Sequence, residues 1–175
     1  MSFFPADAAK GIGSPYDAII LDAAARYVMD PMLIKAMITK ESTWDPNAYR
    51  YEGKLKPPDA SRGLMQILYR TAQWVGYTDT PEGLFDPTIN INFGVKYLAT
   101  QLNLYGYPAG ISAYNAGSPI TGNAQYVNDI TNAYAWFIAN DPLAAPGGAA
   151  APPTFPRLGG VEWWTRRAGL LGSGH

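Results

Sequence analysis

A single glutamate, Glu41, is the strongest candidate in this chain for acid–base chemistry. It occupies the next position on a helix face that is lined by three apolar residues, Ile34, Met37 and Ile38. Burial on that face and the negative end of the helix dipole would both raise its pKa, and Lys40 and Lys35 point about 100° and about 120° away from it. A carboxyl group that keeps its proton near neutral pH can act as the general acid that protonates an ether oxygen during glycosidic cleavage.

The residue types that the chain lacks restrict its chemistry further. It has no cysteine, and its one histidine is His175 at the last position. We therefore expect no thiol nucleophile, no disulfide framework, no zinc site of nitrogen and sulfur ligands and no serine triad. The formal net charge of −1 gives no electrostatic footprint for nucleic acid. Any chemistry must use carboxylates, amides and hydroxyls, and we expect no metal and no other cofactor.

Most glycosidases use two carboxylates, and the sequence offers few candidates for the second one. Four aspartates precede proline and are interpreted as helix caps or turn residues: Asp30, Asp45, Asp86 and Asp141. Glu52 and Asp59 lie in a polar segment, and these are the two that we expect to be free to reach a cleft. The sequence therefore favours one acid that acts without a second carboxylate.

Helices must position these residues, because helical periodicity dominates the chain. Amphipathic patterns predict helices over 16–29, 31–42, 108–116 and 123–140, and a longer helix from Asp86-Pro87 to Gly106. Residues 45–61 are polar, contain three prolines and one glycine, and predict a long loop. The expected fold class is mainly α, with little or no β structure.

The length of 175 residues suits one domain with tails. Residues 1–15, rich in Gly, Pro and Ser, predict an N-terminal arm, and 16–140 form the domain. Residues 141–160 are rich in Ala, Pro and Gly and predict a linker to an aromatic and basic docking tail over 161–175. The first residues lack the features of a signal peptide, and no run of about 18 apolar residues predicts a membrane span.

Four ordered blocks carry a family resemblance. They are ESTWDPNA at 41–48, SRGLMQI at 61–67, LFDPTINI with FGVKYL at 84–98, and ISAYNAG at 111–117. Together they resemble the soluble lytic transglycosylase domain of the lysozyme-like superfamily. The resemblance implies a lysozyme-like helical fold and cleavage of the β-1,4 bond between N-acetylmuramic acid and N-acetylglucosamine in peptidoglycan. It also implies that Glu41 protonates the leaving oxygen and then, as a carboxylate, takes the proton of the C6 hydroxyl, which leaves a 1,6-anhydro sugar.

The same resemblance implies the other residues of the site. The substrate-binding set comprises Ser61, Met65, Gln66, Tyr114, Asn115 and Tyr126. The supporting set comprises Ser42 and Gly63, which belong to the matching blocks, and Arg50 and Glu52, which belong to the segment where the chain departs from the family pattern. Amides suit sugar hydroxyls and acetamido groups, and Met65 offers a deformable apolar wall. Relatives place a tyrosine followed by valine against the acid, which Tyr126-Val127 matches, and Tyr114 is a second candidate for that hydroxyl.

The chain departs from the family pattern after Glu41. Relatives commonly carry a serine nine residues after the acid, whereas this chain has Arg50 there and a longer loop before GLMQ. Two alternatives are open: Ser61 takes the place of that serine, or Arg50, Tyr51 and Glu52 form a different wall of the cleft. The product is open for the same reason, and a lysozyme-type hydrolase that positions water with a second carboxylate is the alternative enzyme.

A third hypothesis, of another class, is a peptidoglycan-binding or virion structural protein without activity. For all three, the expected partner is the glycan strand of peptidoglycan, and the expected place of action is the cell wall, in the periplasm or outside the cell. Such domains often reach the wall as parts of phage virions or secretion machines. We therefore expect a virion-associated protein whose tail, residues 161–175, docks to a protein of the particle.

Overall fold

A computed structural model of the chain describes residues 5–144. In this range the α-helices are α1 Pro5–Ala9, α2 Asp17–Tyr27, α3 Pro31–Ser42, α4 Tyr69–Trp74, α5 Pro87–Tyr105, α6 Ala109–Ala116 and α7 Ala124–Asn140. The strands are β1 Tyr49–Glu52, β2 Asp59–Arg62 and β3 Ile67–Leu68, and 3-10 turns cover Pro81–Phe85 and Thr121–Asn123. The mainly α fold class is confirmed.

Helix α3 is the centre of the core, and it is buried on every side rather than on one face. All residues from Met32 to Thr39 are buried, and the helix packs against α1, α2 and α7. The expectation of a single apolar face ending at Glu41 is therefore wrong. Glu41 is instead one of the first residues to leave the core as the helix ends.

The ends of α3 and α5 follow from local sequence. The Asp30 carboxylate accepts from the Met32 N–H at 2.8 Å, and the Asp86 carboxylate accepts from the Ile89 N–H at 3.0 Å. Proline is the first helical residue in both cases, where its missing N–H costs nothing. These two predicted caps are confirmed, and Thr43 ends α3 in the left-handed region at φ 53°.

The segment predicted as a long loop contains a β-hairpin, so that prediction is wrong. Strand β1 pairs antiparallel with β2, with Arg50 opposite Ser61 and Glu52 opposite Asp59, and β2 pairs with β3. Pro57, Pro58 and Gly53 lie in the connection between the two strands and Pro46 precedes β1, so all of them leave the strand ladder intact. Strands of four residues are too short for a period-two pattern to reveal, and their pairing is a contact between distant parts of the sequence.

The N-terminal segment is part of the domain from Pro5 onward, contrary to the predicted arm over 1–15. Ala8 of α1 is fully buried, and α1 packs against α3 and α7. A Cβ on Gly11 would lie 2.1 Å from the Trp44 ring, so only glycine lets the chain pass this close to the ring.

A buried ion cluster ties both ends of the domain to α3. The Lys35 ammonium, which has no solvent exposure, donates to Asp141 at 2.7 Å and to the Gly11 carbonyl at 2.8 Å, and it pairs with Asp17 at 2.8 Å. Asp141 is therefore a core residue rather than the first residue of a linker. The remainder of the predicted linker and the tail at 161–175 lie outside the described residues. Among residues 5–144, none of the helices has both the length and the apolar character that crossing a bilayer requires.

Candidate active site

Glu41 opens into a cleft of about 580 Å³ between the hairpin and the helices. The lining residues are Glu41, Arg50, Glu52, Leu55, Ser61, Gln66, Ile67, Leu68, Thr71, Tyr97, Tyr114, Asn115, Ala116 and Gly117. Seven of the predicted site residues therefore meet in one place although they come from four parts of the chain. The cleft is wide enough for sugar units and is lined by both apolar and hydrogen-bonding groups.

Burial raises the pKa of Glu41 from its ordinary value of 4.5 to about 7. Three groups oppose this shift: the Tyr126 hydroxyl, which donates a hydrogen bond to Oε1, and the positive charges of Arg50 and Lys40. Lys40 thus acts on Glu41 although it points away from it on the helix, but the effect of burial is larger than that of all three groups together. At neutral pH a large share of Glu41 is protonated, as a general acid requires.

Helix α7 supplies the hydroxyl that contacts the acid. Tyr126 lies in its first turn, and the ammonium of Lys40 lies 5.9 Å from the centre of its ring. Lys40 in turn pairs with Asp129, one turn further along α7, at 2.6 Å. The predicted contact of Tyr126 with Glu41 is therefore present, and a charged pair beside it links α3 to α7. Burial raises the pKa of Tyr126 well above its ordinary value, so its hydroxyl keeps its proton.

Tyr114, the second candidate for this hydroxyl, has a different task. It lines the cleft, but its hydroxyl donates to the Met65 carbonyl at 2.7 Å. Its ring lies against Tyr97, with the ring centres 5.0 Å apart. Tyr114 therefore forms part of the wall and connects α6 to the GLMQ turn.

The GLMQ turn depends on Asn90, a residue to which the sequence gave no role. Its side chain accepts from the Met65 N–H at 2.8 Å and donates to the carbonyls of Arg62 and Leu84 at 2.8 and 2.7 Å. Gly63 lies at φ +70°, and a Cβ there would be 2.3 Å from the Asn90 amide nitrogen. Glycine is thus required by both conformation and space. The asparagine in the LFDPTINI block is the sequence feature that could have indicated this role.

Two residues of this turn are placed differently from the expectation. Met65 is fully buried beneath the cleft, where it packs on Gly94, and it is not a lining residue. Gln66 does line the cleft, but its amide nitrogen donates to the carbonyls of Ala48 and Gly63 at 2.9 and 3.0 Å. Its first task is to brace the turn against the segment that follows α3.

The hairpin supplies one wall of the cleft. This wall contains residues from both of the alternatives that the sequence left open. Arg50 and Ser61 are directly opposite each other on β1 and β2, and both line the cleft together with Glu52. The Arg50 Nε lies 2.6 Å from a Glu52 oxygen, whereas Ser61 is only 3 % exposed. Tyr51 is exposed and is not among the lining residues.

Asp59 does not reach the cleft, contrary to expectation. Burial would raise its pKa, but hydrogen bonds from the Arg70 and Ala60 N–H groups and from the side chains of Arg70 and Arg62 outweigh burial and lower it. Asp59 is therefore an ionised structural group that joins β2 to α4. Of the two carboxylates proposed as partners of Glu41, only Glu52 lies in the cleft.

The remaining predicted residues lie at the edges of the site. Asn115 is exposed at the mouth of the cleft, where its amide is accessible to a ligand. The Ser42 hydroxyl donates back to the Ile38 carbonyl at 3.3 Å, which supports the last turn of α3. Sequence reasoning missed Thr71 and Tyr97 as lining residues, although Tyr97 belongs to the quoted FGVKYL block.

Comparison with known proteins gives one consistent family. A family model described as Transglycosylase SLT domain matches residues 18–137. The chain is 35 % identical over 119 residues to membrane-bound lytic murein transglycosylase C of Haemophilus influenzae (strain PittEE), a match that covers 59 % of this chain and 31 % of the relative. It is 32 % identical over 97 residues to the transglycosylase of Enterobacteria phage PRD1, covering 55 % of this chain and 32 % of that protein. The chain thus spans about a third of the length of these curated relatives.

Solved structures share the fold. The 70 kDa soluble lytic transglycosylase of Escherichia coli aligns with a TM-score of 0.61 at 22 % identity, over 72 % of this chain and 25 % of that one. An inactive mutant of the lytic transglycosylase Slt from Pseudomonas aeruginosa aligns with a TM-score of 0.62 at 19 % identity, over 71 % of this chain and 24 % of that one. The helical core of this chain therefore shares its fold with part of these longer proteins.

Proposed function

Because the chain belongs to the transglycosylase SLT domain family, we propose that it cleaves the β-1,4 bond between N-acetylmuramic acid and N-acetylglucosamine of peptidoglycan by intramolecular transglycosylation. The observation that supports this most directly is Glu41, a carboxyl group in a cleft with a pKa raised by burial to about 7. The name of one relative supplies the substrate, since it is a lytic murein transglycosylase.

In the first step, protonated Glu41 donates its proton to the oxygen of the glycosidic bond. The bond between that oxygen and C1 of the muramic sugar breaks, and the N-acetylglucosamine leaves with a new 4-hydroxyl group. The acetamido group of the muramic sugar stabilises the cation at C1. A carboxylate then remains at Glu41, held by the hydrogen bond from Tyr126 and by the positive charges of Arg50 and Lys40.

In the second step, the Glu41 carboxylate takes the proton of the C6 hydroxyl while O6 bonds to C1. The product is a 1,6-anhydro sugar, and Glu41 ends protonated as it began, so no water is consumed. A pKa near 7 suits both steps, because the group must give and take a proton with similar ease. Tyr126 contributes to this match by offsetting part of the effect of burial on the pKa.

A lysozyme-type hydrolase is the alternative that one observation favours. Glu52 lines the same cleft, and a carboxylate there could orient a water molecule. It is paired with Arg50 at 2.6 Å, however, so a water molecule would have to compete with the Arg50 side chain for that carboxylate.

Digestion of purified sacculi tests both activities. Wild type should release fragments that mass spectrometry finds lighter by one water molecule than lysozyme products, and Glu41→Gln should release almost none. Hydrated fragments from wild type would establish the hydrolase instead. Equal release of fragments by wild type and Glu41→Gln would refute catalysis by Glu41, and no release by either protein would leave the third hypothesis, a peptidoglycan-binding or structural protein.

We propose that the enzyme acts as a virion component and that its C-terminal tail, residues 161–175, docks to a protein of the particle. The similarity to a phage PRD1 transglycosylase supports this. Mass spectrometry of purified particles is the test, and particles without the protein would contradict it.

A further inference from the structure

The positive charge of the domain is concentrated beside the cleft. Residues 49–70, from β1 to the start of α4, contain five lysines and arginines and two acidic residues, a formal net charge of +3. The rest of residues 5–144 contains five basic and eleven acidic residues, a formal net charge of −6. The hairpin wall of the cleft is therefore the part of the domain that attracts an anionic ligand, and the remainder repels it.

The arginines of this segment are paired, whereas two of its lysines are not. The pairs join Arg50 to Glu52 at 2.6 Å, and Arg62 and Arg70 to Asp59 at 3.4 Å each. Lys54 and Lys56 are exposed, and neither ammonium is paired with a carboxylate among residues 5–144. Their two charges are therefore available to a ligand without breaking an existing ion pair.

The two lysines flank a residue of the cleft wall. They lie in the connection between β1 and β2, and Leu55 between them lines the cleft that holds Glu41. The Leu55 N–H donates to the Glu52 carbonyl at 3.1 Å. The Arg70 guanidinium donates to the Pro57 carbonyl further along the connection. The backbone that carries both ammonium groups is thus held at the rim of the cleft before a ligand binds, which lowers the entropy cost of binding.

Peptidoglycan brings carboxylates to such a rim. Each N-acetylmuramic acid unit carries a short peptide, the stem, which contains free carboxylates. A glycan strand with a muramic sugar beside Glu41 therefore presents stem carboxylates to the walls of the cleft. The lining residues from α5 and α6, Tyr97, Tyr114 and Asn115 among them, are uncharged, so the hairpin is the wall that complements an acidic peptide.

We propose that Lys54 and Lys56 bind carboxylates of the peptide stem, so that the enzyme cleaves glycan strands with stems in preference to strands without them. The proposal rests on the proposed function, because it names the form of peptidoglycan that the cleft accepts. It also gives a role to the loop before GLMQ, which is longer than the family pattern and contains both lysines.

Two forms of one substrate test the proposal: glycan strands that keep their tetrapeptide stems, and the same strands after an amidase has removed the stems. The wild-type full-length chain should have a higher kcat/KM on strands with stems, by about three- to tenfold for two exposed ion pairs. Lys54→Gln together with Lys56→Gln should remove this preference by raising KM for strands with stems. On stripped strands the double variant should match the wild type. At ~0.5 M salt the wild-type preference should decrease, because exposed charges are screened.

Lys10→Gln together with Arg26→Gln is the matched control. It also removes two exposed positive charges, and neither residue lines the cleft. This control should keep the wild-type preference. A wild type that cleaves both kinds of strand equally well, or a Lys54 and Lys56 double variant that loses activity equally on both, would overturn the proposal.

Calorimetry with the Glu41→Gln full-length chain separates this proposal from the proposed function. Wild type that cleaves neither kind of strand would refute the proposed function, but strands with stems should still bind more tightly than stripped strands, and the two lysine substitutions should abolish the difference. Equal binding of the two kinds of strand would overturn the stem site. Tighter binding of a glycerol phosphate polymer than of strands with stems, lost in the double variant, would overturn it in favour of a phosphate polymer of the wall.

Discussion

Replacing Glu41 by glutamine should stabilise the protein at alkaline pH and leave its stability unchanged at acid pH. Burial raises the pKa of Glu41 from 4.5 to about 7, because the charged form is poorly solvated where the side chain lies. Glutamine has the shape of the protonated acid, can still accept the hydrogen bond from Tyr126 and never ionises. The substitution thus removes only the cost of a buried charge.

The size and direction of the effect follow from proton linkage. Below pH 4.5 Glu41 is protonated in both the folded and the unfolded chain, so the pKa shift carries no penalty. Between pH 4.5 and 7 the unfolded chain releases this proton first, and the wild-type free energy of unfolding falls as the pH rises. The gap between the two pKa values corresponds to about 3 kcal/mol at ~1.36 kcal/mol per pH unit. Because the carboxylate is partly accessible from the cleft, we expect about 2 to 3 kcal/mol.

Urea unfolding followed by circular dichroism at pH 4 and pH 8 measures the difference directly. At pH 4 the variant and the wild type should have equal urea midpoints. At pH 8 the variant should have the higher urea midpoint, and a thermal melt at that pH should give it a melting temperature higher by about 5 to 10 °C. Comparing two proteins that differ at one group cancels every other titration. Glu82→Gln is the control, because Glu82 is exposed and its replacement should change stability at neither pH.

A difference between Glu41→Gln and wild type that is the same at both pH values would refute the reasoning. So would a variant that is less stable than wild type at pH 8. Either result would mean that burial does not dominate the electrostatics of Glu41, and the general-acid role would lose its physical basis.

Three further substitutions test other parts of the structure. Tyr126→Phe removes a hydrogen bond that lowers the pKa of Glu41, so the alkaline limb of the pH–activity profile should move up by about one to two pH units; an unmoved limb would contradict the contact. Lys35→Met leaves the buried Asp141 and the half-buried Asp17 without their cation and should lower the free energy of unfolding by about 3 to 5 kcal/mol, measured in urea; a loss below about 1 kcal/mol would argue against the buried cluster. Gly63→Ala places a Cβ against Asn90 at a positive φ and should cost about 2 kcal/mol or more, with reduced activity, whereas unchanged melting and activity would contradict the tight turn.

Local sequence patterns were sufficient to predict most helices. The Asp-Pro pairs before α3 and α5 act as caps because their hydrogen bonds join residues two or three positions apart. The predicted bounds of the longer helices agree with the structure to within about two residues, which is the usual uncertainty of helix ends. Where the determining contacts are local, the sequence contains the information directly.

The errors concern contacts between distant residues. The sequence predicts a loop where β1 and β2 form a hairpin, and an arm over residues 1–15 where α1 packs on the domain, because neither segment has a strong periodicity of its own. Both are held by partners elsewhere in the chain: β1 by β2 and the first helix by α3 and α7. The apolar run in α3 predicts one buried face. The helix is instead surrounded by other elements, which also bury the charged Lys35.

The sequence by itself determined the type of chemistry and the residue most suited to it. Without cysteine and with only a terminal histidine, a carboxylate was the remaining acid–base group, and the blocks around Glu41 predicted the family. The tertiary structure decided which residues share the cleft with that carboxylate. It brought Tyr126 to the acid and Glu52 to the wall, buried Met65, and engaged Asp59 elsewhere. The physical reason is that a pKa depends on the groups and the solvent around the carboxylate in space, and spacing along the chain does not fix these.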